Sequence, residues 1–187
     1  MDIEELTKQI ENCQNCDLCK TRHFVVVGSG NINSKIMIIG EGPGKDEDMC
    51  GTAFVGVAGK LLDKQLESIG LDRSMVYITN IVKCRPPGNR NPSPEEQEKC
   101  LNYLREQFLI MRPQLIILLG AVASKKLLDA NFRITKQHGQ IFTIKGVDFV
   151  PTYHPAALLR DPSKKPDAWH DLLVIKTIIN RKGLLIN

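Results

Sequence analysis

Three short apolar segments, each ending at glycine or polar residues, constrain the fold of this chain more than any other feature. They have the sequences KIMIIG at 35–40, VYITNIV at 76–82 and LIILL at 115–119. Runs this short and this apolar are typical of strands that are buried on both faces, as in a parallel sheet. We therefore predict three strands in the core.

Helical patterns separate these strands. Ser93-Pro94-Glu95-Glu96 is a capping box with proline at the first helical position, and elsewhere apolar residues recur at helical spacing. The predicted helices span 59–69, 94 to about Met111, 121–128 and 167–179. Two further runs, 140–144 and 147–153, flank Lys145-Gly146 and predict a hairpin.

This alternation of strands and helices predicts the fold class. We expect an α/β protein, a three-layer α/β/α sandwich with a mostly parallel central sheet of about four strands. The length of 187 residues and the 42% hydrophobic content suit one domain, so we predict a single domain over residues 1–187.

Glycine and polar residues follow the predicted strands, at Gly40 to Gly44, Thr79-Asn80, Gly120 and His154. Ligands bind beyond these carboxyl ends in open parallel sheets. The loop GEGPG at 40–44 has neither the spacing of a dinucleotide-binding loop nor that of a P-loop, so a tight turn and a close approach to a ligand both stay open. Taken singly, Phe54, Asn80 and His154 are also compatible with purely structural roles.

Charge and composition set weaker limits. The net charge of +4 permits a polyanionic partner without requiring one. The first ten residues lack the pattern of a signal peptide, and no stretch approaches the roughly 20 apolar residues of a membrane span. We expect a cytoplasmic protein that has no contact with membranes.

Six cysteines are many for a protein of a reducing compartment, where disulfides are uncommon. Cys13 and Cys16 form a CxxC pair, Cys84 follows the second strand, and Cys100 lies in the following helix. These four residues could be buried thiols, a zinc site or a 4Fe-4S site. The spacing of the cysteines in the sequence does not show whether zinc or iron is bound.

Four motifs together resemble one known family. They are GEGPG at 40–44, GTAFVGVAG at 51–59, ITNIVKCRPP at 78–87 and HPAALLR at 154–160. In this order, and over nearly the whole chain, they are similar to the family 4 uracil-DNA glycosylases of the uracil-DNA glycosylase superfamily. The resemblance implies a uracil-DNA glycosylase-like fold.

The resemblance also implies a cofactor. It points to a 4Fe-4S cluster held by Cys13, Cys16, Cys84 and Cys100, and so favours iron over zinc. The cluster would tie the N-terminal segment to the rest of the domain. Cys19 and Cys50 are left without a role.

Residues that bind the base follow from the same motifs. Phe54 matches the aromatic residue on which a flipped uracil stacks, and Asn80 the amide that reads its O4 and N3 edge. His154 matches the histidine that hydrogen-bonds uracil O2. The backbone of Gly40, Glu41 and Gly42 would close around the pyrimidine.

The remaining implied roles concern catalysis and DNA. Glu47 matches a residue on the C5 side of the base, where thymine is refused. The better-known branch of the superfamily has aspartate where this chain has Gly42, so we expect the catalytic carboxylate to be Glu41, with Glu47 second and His154 as the donor to O2. Leu158 matches the wedge that enters the base stack, and Arg160 is expected to meet a phosphate.

The implied activity is removal of uracil from DNA, which leaves an abasic site and begins base excision repair. One alternative is a superfamily member that stays covalently joined to DNA, for which His138 is the candidate nucleophile. Another is a zinc-bearing nucleic-acid-binding protein without activity. We expect a monomer that binds uracil-containing DNA, and the sequence leaves recruitment by a sliding clamp open.

Overall fold

One six-stranded sheet forms the centre of the protein in a computed structural model, which describes residues 2–185. The strands are β1 Ser29–Gly30, β2 Ile36–Gly40, β3 Tyr77–Asn80, β4 Leu115–Leu119, β5 Phe142–Ile144 and β6 Val147–Thr152. Their order in the sheet is β1-β3-β2-β4-β6-β5. The three strands predicted from apolar runs are β2, β3 and β4.

The four central strands, β3, β2, β4 and β6, are parallel, and β1 and β5 add antiparallel edges. The predicted number of about four therefore describes the parallel centre, and the whole sheet has six strands. β5 is the first arm of the predicted hairpin. β1 has only two residues, Ser29 and Gly30, and no apolar pattern marks it.

Helices cover both faces of the sheet. They are α1 Ile3–Glu11, α2 Lys45–Cys50, α3 Val57–Ser68, α4 Pro94–Met111, α5 Ala121–Leu127, α6 Ile134–Gln137, α7 Pro155–Arg160 and α8 Lys165–Lys182. Alternate strand residues point to opposite faces: Ile36 and Ile38 pack with α3 and α8, while Met37 and Ile39 pack with α4 and α5. The predicted three-layer α/β/α sandwich is confirmed.

Helix α1 was not expected from the sequence. The helix is amphipathic, but only two of its residues, Leu6 and Ile10, are buried, and two positions are too few to show a helical period in the sequence. A capping box begins the helix: Glu5 N donates to Asp2 Oδ1 at 2.9 Å, and Asp2 N donates to Glu5 Oε2 at 3.2 Å. α1 contacts α4, so apolar packing helps to hold the N-terminal segment in place.

Other boundaries differ by a few residues. The C-terminal helix predicted over 167–179 extends from Lys165 to Lys182, and Gly183 ends it in the left-handed region at φ 59°. Within residues 2–185, no helix combines the length and the apolar character that crossing a membrane requires.

Candidate functional site

A cleft of about 520 Å³ opens at the carboxyl edge of the parallel strands. Most of the predicted site residues line it: Glu41, Gly42, Glu47, Phe54, Asn80, His154 and Arg160. Gly40 lies directly behind them, and Leu158 does not line the cleft. The topology thus brings together residues from the ends of β2, β3 and β6, as expected of a doubly wound sheet.

Asn80 ends β3 opposite Gly40 of β2 in the parallel register. Its side chain is buried, and its Oδ1 has no hydrogen-bond partner within residues 2–185. A Cβ at position 40 would approach this Oδ1 to 2.5 Å and Phe54 Cζ to 2.6 Å, so only glycine fits there. A buried, unpaired acceptor is costly unless a ligand donates to it.

Phe54 forms an apolar wall beside this amide. Its ring centroid lies 5.6 Å from that of His154, and the two planes are inclined by 31°. The backbone of Phe54 has φ 54°, a left-handed conformation that is unusual for an aromatic residue. Arg73 donates to the carbonyls of Ala53, at 2.9 Å, and Phe54, and its Nε donates to Asp63 Oδ1 at 2.7 Å.

Arg73 was missed in the sequence because it lies outside all four motifs. Its role arises only from the fold, which brings the turn before β3 against the loop that carries Phe54. A guanidinium with several donors suits such a loop, since it satisfies carbonyls that a turn leaves free.

His154 is the N-cap of α7, and its Nδ1 accepts from Ala156 N at 3.1 Å. Burial lowers the pKa of His154 to about 4, with further lowering by the positive charge of Arg160 and an opposing effect of Glu47. The imidazole is therefore neutral near pH 7. Because Nδ1 accepts, the proton lies on Nε2, which is left as a donor.

Glu41 follows β2 directly and is partly buried in the cleft. Burial raises the pKa of its carboxyl group, and the positive charge of Arg160 opposes this. A carboxylate with a raised pKa is a better proton acceptor than an exposed one, and such groups are concentrated at active sites.

Glu47 in α2 has both carboxylate oxygens engaged. Its Oε2 accepts from Gly44 N at 3.1 Å, and its Oε1 accepts from Val55 N and Gly56 N, each at 2.9 Å. The carboxylate therefore holds the start of α2 against the loop after Phe54. Glu41 is the freer of the two candidate bases.

Leu158 was predicted to be the wedge, and in the structure its side chain is buried. It is 1% exposed and packs with Tyr153 and Ala168, because that side of α7 faces α3 and α8. Leu159, the next residue, is 43% exposed. Arg160 is exposed at the mouth of the cleft, in agreement with a phosphate contact.

The four predicted ligand cysteines line a second cavity, together with Cys19. Hydrogen bonds reach three of the sulfur atoms: Asn15 N to Cys13 Sγ at 3.5 Å, Arg22 Nη1 to Cys84 Sγ at 3.1 Å, and Lys83 N to Cys100 Sγ at 3.3 Å. Cys50 is exposed and does not line this cavity. Donors of this kind stabilise thiolate ligands, so the residues suit a thiolate-bound metal centre.

Among residues 2–185, no group of three or more histidine, cysteine or acidic side chains is close enough to hold one ion. Zinc and a 4Fe-4S cluster both take four thiolate ligands, so the set of cysteines fits either one.

His138 is held away from the cleft. Its Nδ1 lies 2.9 Å from Asp171 Oδ1, and Asp171 also accepts from Thr152 Oγ1 at 2.7 Å. The imidazole packs against Tyr153 with ring centroids 4.8 Å apart, and Tyr153 lines the cleft whereas His138 does not. This arrangement gives His138 a structural role and disfavours it as a nucleophile.

Comparison with known proteins agrees with this geometry. Residues 27–173 match the Uracil DNA glycosylase superfamily. A type-4 uracil-DNA glycosylase of Archaeoglobus fulgidus is 42% identical, covering 96% of this chain and 94% of its own length. Proteins of the same description from Pyrobaculum aerophilum and Thermotoga maritima are 43% and 41% identical, covering 92% and 97% of this chain and 92% and 96% of their own lengths.

Proposed function

Because the chain belongs to the uracil DNA glycosylase superfamily, we propose that it removes uracil from DNA as a type-4 uracil-DNA glycosylase. The enzyme extrudes the uracil nucleotide, hydrolyses its N-glycosidic bond, and releases free uracil and an abasic site, the first step of base excision repair. The observation that carries this proposal is the buried Asn80 Oδ1, which lacks a partner within the described residues and lies in the same cleft as an aromatic ring and a neutral imidazole.

Asn80 supplies the base specificity. Uracil presents an N3–H donor and an O4 acceptor, so one carboxamide accepts from N3 with Oδ1 and donates to O4 with Nδ2. Cytosine presents the reverse pattern and would leave both groups unpaired in a buried site, a mismatch that rejects a substrate strongly. The ring of Phe54 offers a face on which the pyrimidine stacks.

His154 supplies the transition-state interaction. As the glycosidic bond breaks, negative charge grows on uracil O2 and positive charge on the sugar. The Nε2–H of a neutral imidazole, aimed at O2, binds this charged state more tightly than the neutral base. The hydrogen bond from Ala156 N to Nδ1 fixes that tautomer.

Glu41 supplies the carboxylate. It lines the cleft, and its oxygens are free of the backbone hydrogen bonds that engage Glu47. Ionised Glu41 stabilises the positive charge on the sugar and accepts a proton from the attacking water. Glu47 instead shapes the loop that carries Phe54.

Single-turnover incubation with oligonucleotides that contain uracil, thymine or cytosine at one position tests the function. Alkaline cleavage reveals abasic sites, and we expect strand scission at uracil alone. Asn80→Ala should slow the reaction about 100-fold or more, since it removes the paired reading of the base. Intact uracil DNA after incubation with the folded wild-type protein would overturn the proposal, and a protein–DNA adduct that survives denaturation would favour the covalent alternative.

The two glutamates should differ in rate and in pH dependence. Glu41→Gln should lower the single-turnover rate by about 100-fold or more, a typical loss for a general base. The wild-type rate should fall on acidification through a pKa above 4.5, the ordinary glutamate value, because ionised Glu41 is required and its pKa is raised. The pKa of His154, about 4, lies below this range.

Glu47→Gln provides the matched comparison. It should retain the same acid limb and lose mainly stability, by about 1–3 kcal/mol, because the carboxamide cannot accept all three backbone hydrogen bonds. If Glu41→Gln has an unchanged single-turnover rate and Glu47→Gln loses the fall in rate on acidification, then Glu47 is the catalytic carboxylate and Glu41 is not.

We assign the wedge to Leu159 in place of Leu158, since an inserting side chain must be exposed before it enters the base stack. Leu159→Ala should slow excision from duplex DNA while leaving excision from single strands nearly unchanged. Leu158→Ala should instead destabilise the fold by about 2–5 kcal/mol, because it empties a buried site. Single-turnover rates on duplex and single-stranded DNA, together with chemical denaturation, distinguish the effects of the two variants. If Leu159→Ala and wild type excise uracil from duplex DNA at equal rates, the assignment of the wedge to Leu159 is wrong.

A 4Fe-4S cluster held by Cys13, Cys16, Cys84 and Cys100 completes the proposal. The cavity shared by the four cysteines and the hydrogen bonds to three of their sulfur atoms support a thiolate-bound centre, and the similarity to type-4 uracil-DNA glycosylases favours iron over zinc. Base hydrolysis transfers no electrons, so the bound cluster contributes structure. The cluster would connect the segment after α1, which contains Cys13 and Cys16, to Cys84 after β3 and to Cys100 in α4.

Metal analysis of protein purified without oxygen checks this set of ligands. We expect about four iron and four sulfide per chain and absorbance in the visible region. Cys84→Ser should lose most of the iron, whereas Cys50→Ser and Cys19→Ser should retain it. Zinc in place of iron, or retention of the full cluster in Cys84→Ser, would contradict the proposed ligands.

The remaining expectations stay predictions. They are the single domain over residues 1–187, the monomeric state and the cytoplasmic location. The continuous sheet and the contact of α1 with α4 support the single domain.

A further inference from the structure

Lys83 is the largest fully buried side chain of residues 2–185, with 1% of its surface exposed. Its Nζ donates to Thr79 Oγ1 at 2.6 Å, to the backbone oxygen of Asn80 at 2.9 Å and to Gln107 Oε1 at 2.7 Å. A protonated lysine has three donor hydrogens, so all of them are used. Burial of an amino group is costly, and full pairing of this kind is what makes it tolerable.

The acceptors of Lys83 are themselves held in place. Gln107 of α4 is fully buried, and its Nε2 donates to Val27 O at 2.9 Å and to Tyr77 Oη at 3.1 Å. Thr79 Oγ1 also donates to Val27 O at 2.9 Å. We call Lys83, Thr79, Gln107 and the Asn80 carbonyl the Lys83 network. It fixes the end of β3 relative to α4.

The segment from Asn80 to Cys84 also joins the cleft to the cysteine cavity. At the cleft, Ile81 N donates to Gly40 O at 2.9 Å, and Val82 N donates to Glu41 O at 3.2 Å. At the other end, Lys83 N donates to Cys100 Sγ, and Cys84 follows. Lys83 therefore contacts both ends of the segment: its backbone N–H donates to Cys100, and its side chain donates to the carbonyl of Asn80.

We propose that Lys83 is a positioning residue for base recognition, which holds the backbone of Asn80 so that its carboxamide meets the edge of uracil. The proposal rests on the proposed role of Asn80. No group in residues 2–185 donates a hydrogen bond to Asn80 Oδ1, so the direction of the amide depends on its backbone and on its packing against Gly40 and Phe54. Lys83 touches no substrate and acts through Asn80 alone.

Two variants weaken the network to different degrees. Lys83→Met removes all three donors. Gln107→Met retains the side-chain volume and removes one acceptor of Lys83, together with the two hydrogen bonds that Gln107 Nε2 donates to Val27 O and Tyr77 Oη. Each should slow single-turnover excision about 10- to 100-fold at subsaturating DNA, since hydrogen bonds to a charged group are among the stronger ones. Lys126→Met is the matched control, because Lys126 pairs with Glu98 on α4 and does not line the cleft.

Two readouts separate positioning from general destabilisation. Binding to DNA with a non-cleavable 2′-fluoro-deoxyuridine should weaken in both variants, while binding to abasic DNA, which has no base to read, should match wild type. In an Asn80→Ala background, adding Gln107→Met should change the rate less than about 3-fold, because residues that act through one group are not additive.

The outcomes are distinct. Equal losses of affinity for both DNAs, or full additivity with Asn80→Ala, would overturn the role of Lys83 and leave the proposed function intact. Normal uracil excision by Asn80→Ala would instead overturn the role of Asn80 itself. If Lys83→Met does not fold, Gln107→Met alone decides between these results.

Discussion

The parallel pairing of β2 with β3 is the constraint on which the site depends. It sets Gly40 opposite Asn80 at the last step of the register, where both strands leave the sheet. Because position 40 has no Cβ, the Asn80 amide and the Phe54 ring can approach the same backbone. A shift of one residue would turn the amide to the other face of the sheet. The proposed recognition of one base edge thus depends on strand register.

The electrostatics of the cleft suit a neutral substrate that becomes charged during reaction. His154 is kept uncharged by burial and by Arg160, although it remains a donor through Nε2. A neutral imidazole does not attract the DNA backbone as a cation would, and its N–H still stabilises the negative charge that grows on O2. Glu41, with its raised pKa, is the proposed counterpart on the side of the sugar.

Sequence alone predicted the parts of the molecule that local patterns determine. Buried strands and capped helices are encoded in consecutive residues, so β2, β3, β4 and α4 emerged close to their observed bounds. α1 was missed because it buries only two apolar side chains. Most proposed site residues follow strand ends, and topology therefore brings them together.

What the sequence did not reveal depends on the tertiary structure. The choice between Leu158 and Leu159 depends on the rotation of α7, a helix of six residues that is too short for periodicity to settle. The backbone hydrogen bonds of Glu47 come from a loop eight and nine residues away. Arg73 and Lys83 look like ordinary surface cations until burial and their partners are known.

Several departures from ordinary local structure lie at the cleft, and these bear on function. Two buried side-chain atoms within residues 2–185 lack partners: Ser29 Oγ at the sheet edge and Asn80 Oδ1 in the cleft. Of the non-glycine residues with positive φ, Phe54 and Asn89 line the cleft, while Arg112 ends α4 and Lys145 forms the hairpin turn. Stable folds avoid such features except where a site requires them. The unpaired oxygen, the left-handed aromatic residue and the buried lysine behind them are therefore best explained together, as one arrangement for holding a base.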